Sequence, residues 1–176
     1  EQVNRAFSDT GSDSATPENV VNSHSAYRSN RNRDGPKVYR KQKIEPFDIN
    51  SADTTLFIAL PGIGSKLAAR IVTFREKLGG FYSVKQIGEV YGLQDSVFKK
   101  IAPFFKCDVA KVRRININVA GKNELSSHPY IRWNIAEAVI AYRNQHGNFS
   151  SADDLFRIEN IDAGALERMM PYLSFK

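Results

Sequence analysis

The chain has 176 residues, 41% of them hydrophobic, with a formal net charge of +6 and a sequence pI of about 9.5. That is enough for one or two small packed domains, and the charge suits a polyanionic partner, although a solvated basic surface produces the same balance. One cysteine (Cys107) and three scattered histidines (His24, His128, His146) exclude an intrachain disulfide and offer no metal-ligand spacing, so neither metal nor cofactor is expected; no apolar run approaches the ~20 residues of a membrane span.

Residues 1–46 read as a disordered polar and basic tail. Glu1–Arg33 is rich in Ser, Asn, Asp and Arg and has too few large apolar residues to offset the cost of ordering. Asp34-Gly35-Pro36 is turn chemistry, and Lys37–Lys43 is a basic run with one aromatic, either a solubilising linker or an arm that lies on nucleic acid. The chain begins at Glu1 rather than Met, so it reads as a fragment. A removed upstream signal or anchor would place it in a cell envelope or periplasm, and otherwise the cytoplasm is expected.

From Phe47 the pattern becomes helical. Asp53 is placed to cap a helix running to about Leu60, where Pro61 ends it. Leu60-Pro61-Gly62-Ile63-Gly64-Ser65-Lys66 then reads as a hairpin, its glycines allowing a sharp turn and close approach of bare backbone, with Ile63 plugging into the core. Ser65–Leu78 forms a long amphipathic helix, and Lys66, Arg70, Thr73 and Lys77 share its polar face at i, i+4, i+7, i+11 spacing. A glycine hairpin that opens a helix with cations on its first turns is an anion site, and the expected anion is a phosphate. Gly79-Gly80 suits the C-terminal cap, Ser83-x-x-Gln86 is a capping box for Val84–Val90, and Tyr91-Gly92-Leu93-Gln94 reads as a second, weakened hairpin. Asp95 is then expected to cap a last helix with Val97, Phe98 and Ile101 inward.

The Leu-Pro-Gly-Ile-Gly run between two helices resembles the helix-hairpin-helix motif, and the stretch from Asp48-Ile-Asn-Ser-Ala to Ala102-Pro-Phe-Phe105 resembles the ComEA-type domain of bacterial competence DNA receptors. The resemblance covers Phe47–Phe105 well and implies sequence-independent binding of duplex DNA through phosphates along the minor groove.

Lys106–Arg114 follows, an extended spacer or a basic strip carrying Lys111, Arg113 and Arg114. Beyond it the chain repeats at n+68, over Ile115–Leu173. Ile49/Ile117, Asn50/Asn118, Ala52/Ala120, Arg75/Arg143 and Phe81/Phe149 are among the identities, so both copies should share a fold. The anion chemistry is lost in the second copy. Gly62-Ile63-Gly64 becomes Tyr130-Ile131-Arg132, and Lys66, Arg70, Thr73, Lys77 become Asn134, Ala138, Ala141, Gln145. Arg132 remains within reach of a phosphate, and Tyr130 or Trp133 of a sugar or base edge. Asn160-Ile161-Asp162 has no glycine, and Asp162 repels anions.

The expected fold is all-α: a tail (1–46), a helix-hairpin-helix unit of about four short helices (47–106), a linker (107–114) and a second unit (115–176). The expected partner is double-stranded DNA, bound without sequence preference in uptake or repair, through Gly62, Ile63, Gly64, Ser65, Lys66, Arg70 and Lys77. Gly92, Gln94, Arg132, Asn134, Lys111, Arg113 and Arg114 are secondary candidates. No nucleophile, base and acid share a face, so no enzyme is expected, and Asp153-Asp154 read as first-turn helix acids. The alternative is a structural or protein-interaction module of a cell-envelope assembly, with the second unit as its contact surface.

Overall fold

A computed structural model of the chain describes residues 44–159 and 161–176; the tail expectation therefore lies almost wholly outside the described residues. Local chemistry sets the helix starts. Asp53 Oδ1 accepts the Thr55 and Leu56 N–H groups at 3.0 and 3.1 Å and opens α1 (Thr54–Ile58). Gly64 precedes α2 (Ser65–Leu78), which ends on Gly79 in the left-handed region, φ 78°. The Ser83–Gln86 capping box forms, but the segment it starts, Val84–Glu89, winds as a 3-10 helix. Asp95 is not the cap of α3 (Asp95–Ile101). Gln94 holds that position, and Asp95, one residue inside, pairs with Lys99 at 2.7 Å.

The second copy repeats the order with α4 (Lys122–Ser127), α5 (Trp133–His146), a 3-10 segment Ala152–Arg157 and α6 (Ala163–Met169). Asp153-Asp154 behave as first-turn acids: Asp154 Oδ2 accepts the Ser150 and Ser151 N–H groups at 2.8 and 3.3 Å. The fold is mostly helical, with one addition. Each copy is closed by a two-residue parallel pair, β1 (Phe47–Asp48) with β2 (Phe105–Lys106) and β3 (Ile115–Asn116) with β4 (Leu173–Ser174).

The residues shared at n+68 explain why the copies fold alike. Asn50 donates to Phe81 O at 2.8 Å and accepts the Phe81 N–H at 2.7 Å; Asn118 does the same with Phe149 at 3.0 and 2.8 Å. Arg75 donates to the carbonyls of Ile49 and Ala52, and Arg143 to those of Ile117 and Ala120. Two side chains thus tie the entry segment of each copy to its long helix and to the turn after it. The charge-assisted arginine bonds contribute about 1.5–3 kcal/mol each and the neutral asparagine bonds about 0.5–1.5 kcal/mol.

Each copy has its own core. Phe57, Ile71, Leu78, Phe81, Ile87 and Ile101 fill the first; Ile117, Leu125, Ile131, Phe149, Leu155 and Met169 fill the second. Burying a side chain of that size stabilises by about 1.5–3 kcal/mol. The cores meet through Tyr172, which belongs to the second copy but packs in the first core. Its hydroxyl accepts from Gln86 Nε2 at 2.7 Å and from the Tyr82 N–H at 3.3 Å. His128 lies against it, ring centroids 4.7 Å apart, and is 3% exposed. Burial pushes the His128 imidazole down to about 4, against the opposing pull of the Leu78 carbonyl.

Candidate nucleic-acid interface

Four chain reversals share one backbone pattern. In each, the N–H of a plug residue returns to a carbonyl three residues back: Ile63 to Leu60, Leu93 to Val90, Ile131 to His128 and Ile161 to Ile158, at 3.0–3.2 Å. A new helix then starts, and the carbonyl just before it accepts the first intrahelical bonds, as Gly64 O does from Leu67 and Ala68 and Gln94 O from Val97 and Phe98. The first N–H groups of each helix have no partner within it.

The four differ in what covers those donors. Before α2 and α3 no side chain caps them. Before α5, Arg132 likewise makes no cap bond. Before α6, Asp162 Oδ1 takes the Ala165 N–H at 2.8 Å, so that hairpin carries its own anion. The second hairpin is not the weakened one that a missing glycine implied. Gly62 and Gly92 sit at φ 86° and 87°, while Gly64 and Gln94, at φ −93° and −73°, occupy a position open to any residue. Asp95 does place a carboxylate at the start of α3, which opposes an anion there.

The first copy's hairpins interlock. A Cβ on Gly62 would lie 3.0 Å from Val97 Cγ1 of α3, and one on Gly92 2.6 Å from Arg70 Nη1 of α2. A Cβ on Gly64 meets nothing within 4 Å. The close approach therefore divides: Gly62 is small because of its own fold, whereas Gly64 faces open space beside exposed Ser65 and Lys66. Arg70 reaches sideways: its Nη1 donates to Tyr91 O at 3.2 Å and its Cζ lies 5.2 Å from the Tyr91 ring centroid. Arg70 thus links α2 to the second hairpin with one of its five N–H donors, and its side chain is exposed. Lys77 is exposed further along α2.

Among the secondary candidates of the linker, Lys111 has other partners. Lys111 is bound to Asp48 at 2.7 Å, to Ser51 and, at 3.7 Å, to Asp108, which takes it out of any strip of free cations. Burial opposes ionisation of Asp48, but Lys111, Ser51 and the N–H groups of Asp108 and Asn50 together hold its carboxyl down to about 2. The linker is not an extended spacer, and of its cations the Arg113 and Arg114 side chains are exposed. It turns through Val109–Lys111, and the Arg113 N–H bonds Gly79 O at 2.8 Å.

In the second copy, Arg132 and Asn134 are exposed at the start of α5 and line a cavity of about 150 Å³ with Asp162 and Arg168. Tyr130, at the Gly62 position, does not face outward toward a sugar or base. Its hydroxyl donates to Glu89 Oε2 at 2.9 Å and accepts from Gln86 Nε2 at 3.0 Å, so it fastens the copies together. Trp133 is 55% exposed, with Lys122 Nζ 3.8 Å from its ring centroid. Sequence reasoning did not find the Gln86–Tyr130–Tyr172 cluster. The one available signal was that all three break the n+68 repeat, standing opposite Asp154, Gly62 and Phe104.

Comparison with known proteins agrees with this geometry. The family model for the helix-hairpin-helix motif matches residues 42–106 and again 110–174, which makes two tandem copies. The chain is 27% identical over 154 residues to a rat protein named endonuclease/exonuclease/phosphatase family domain-containing protein 1, covering 71% of this chain and 27% of that protein. The human protein of that name is 26% identical over 155 residues, with the same coverage. An uncharacterised protein of Haemophilus influenzae is 38% identical over 56 residues, 31% of this chain and half of that one. The chain thus spans about a quarter of the animal relatives it matches. No solved structure matches it.

Proposed function

We propose that this chain, which belongs to the helix-hairpin-helix motif family, binds duplex DNA through backbone phosphates with little regard for sequence. The observation that carries the proposal is the start of α2, where Gly64 leaves open space over uncapped N–H groups and Lys66 stands beside them. A phosphate oxygen there accepts from backbone donors at the positive end of a 14-residue helix, with a cation to complete the site. Such contacts position a duplex and carry no base information. Gly92–Gln94 supplies a weaker neighbouring contact, and the second copy braces the first through Tyr130 and Tyr172. This region is a holding module rather than a catalyst: Asp53, Asp108, Asp154 and Asp162 are each engaged with backbone N–H groups, and Asp48 with Lys111. The animal relatives carry an endonuclease/exonuclease/phosphatase family name, which supports a place beside such chemistry over uptake. A second role for the second copy, as a protein-contact surface, is favoured by the exposure of Trp133 and Phe156, 55% and 63%.

Fluorescence anisotropy with one labelled duplex tests the assignment. Affinity should fall with salt at a log–log slope of about −2 to −4, matching roughly 2–4 neutralised phosphates. Lys66→Ala should cost about 1 kcal/mol, and Arg132→Ala or Asn134→Ala less. If Arg132→Ala costs more than Lys66→Ala, or the salt slope is near zero, the assignment is wrong.

A further inference from the structure

Between α2 and the second hairpin runs a groove of about 300 Å³ that phosphate binding leaves unused. Ala69, Phe74 and Val90 give it an apolar lining, which Tyr91 and the cations Arg70 and Lys77 complete. Tyr91 is 84% exposed, by far more than packing of the hairpin requires, because Val90 and Leu93 make the inward contacts. An aromatic ring held out by the backbone, beside an apolar slot with two cations in its lining, has the chemistry of a base-stacking platform on a charged track.

The second copy provides an internal control. It builds the same groove positions on the same fold with opposite chemistry. Glu137 stands for Ala69, Ala138 for Arg70, Gln145 for Lys77 and Glu159 for Tyr91. Tyr142, in place of Phe74, stacks on Phe149 with ring centroids 5.0 Å apart. Folding of this unit therefore demands neither the exposed tyrosine nor the flanking cations; in the first copy Arg70 also ties α2 to Tyr91 O, which leaves the exposed Tyr91 ring and Lys77 without a part in the fold.

We infer that this groove takes one unpaired nucleobase, stacked on Tyr91, with its flanking phosphates on Arg70 and Lys77. The inference rests on the duplex-binding reading and sharpens it: the preferred substrate is duplex DNA with a single-stranded extension. The hairpin holds the duplex phosphates, and the first unpaired base enters the slot. Arg70 spends one N–H on Tyr91 O, which fixes the backbone that carries the ring and leaves other donors for phosphate.

The test uses the full chain and three duplexes of one sequence: blunt, with a short adenine tail, and with the same tail made of abasic nucleotides. The abasic tail keeps the phosphates and removes the bases. The adenine tail should bind at least about fivefold tighter than the abasic tail, since stacking one base contributes about 1–3 kcal/mol. Tyr91→Ala should erase that difference and leave blunt-duplex affinity unchanged, while Tyr91→Phe should retain it. Equal binding of adenine and abasic tails, or a difference that survives Tyr91→Ala, overturns the inference. The blunt duplex judges the phosphate reading separately. Blunt binding without base preference removes the groove alone, base preference without blunt binding removes the duplex reading alone, and no binding removes both.

Discussion

Lowering the pH from 7 to 4 should loosen the junction between the copies through one residue, His128. Its ring is 3% exposed, and its Nδ1 accepts the Tyr130 N–H at 3.3 Å. Protonation puts a hydrogen on Nδ1, so a donor then faces a donor while a charge sits among the Tyr130 and Tyr172 rings. The unfolded chain takes up this proton near the ordinary value of 6.5, the folded chain only near about 4. The stabilisation is therefore complete above 6.5, declines as the pH falls between 6.5 and about 4, and is gone below that. At about 1.4 kcal/mol per unit it amounts to about 3 kcal/mol, on the order of 10 °C in melting temperature. Carboxylates titrate in the same range, so the measurement is a difference. Urea unfolding of the wild type and His128→Gln is followed at several pH values from 7 to 4, the glutamine offering Tyr130 N–H an uncharged acceptor. Between 6.5 and 4 the wild type should lose stability faster by about one proton's worth. Parallel curves, or an NMR titration of His128 near 6.5, would refute the reasoning.

Two further outcomes are expected. Gly62→Ala should destabilise by about 1–2 kcal/mol, because φ 86° is strained for alanine and its Cβ meets Val97, whereas Gly64→Ala should leave the melting temperature within a degree or two. Tyr172→Phe should cost about 0.5–1.5 kcal/mol in thermal unfolding by removing one acceptor from Gln86 Nε2, since Tyr130 still serves that group and Gln86 Oε1 still takes the Tyr82 N–H at 2.7 Å; no loss of stability would show that the hydroxyl plays no part in joining the copies.

What the chain disclosed about itself follows the range of each interaction. The Asp53 cap, the Ser83–Gln86 box, the bounds of α2 and its left-handed stop at Gly79 act within a few residues, and all were legible. The second hairpin was underrated because a missing glycine at Gln94 looked like damage. Only the Gly92 position needs positive φ, so the loss changes nothing in the backbone. Lys111 and Tyr130 were misread for a different reason. Their partners, Asp48 and the Gln86–Glu89 pair, lie 63 and about 40 residues away, and no local pattern shows a side chain turning inward over that distance. The repeat marked Asn50 and Arg75 as shared without saying why; their roles as clamps became visible only when the carbonyls they hold were in place.

The short parallel pairs give the molecule a mechanical character. In each copy the strand where the chain enters runs alongside the strand where it leaves, Phe47 opposite Phe105 and Ile115 opposite Leu173. Because the two run in the same direction, tension on the ends of a copy slides one strand past the other and loads both residue pairs together, rather than peeling them apart in turn. In the first copy, sliding also drags Phe47 and Phe105 across Phe57, three rings in edge-to-face contact at 5.7–6.1 Å. Tension between the two ends of a copy would meet this latch before it reached the helices behind it.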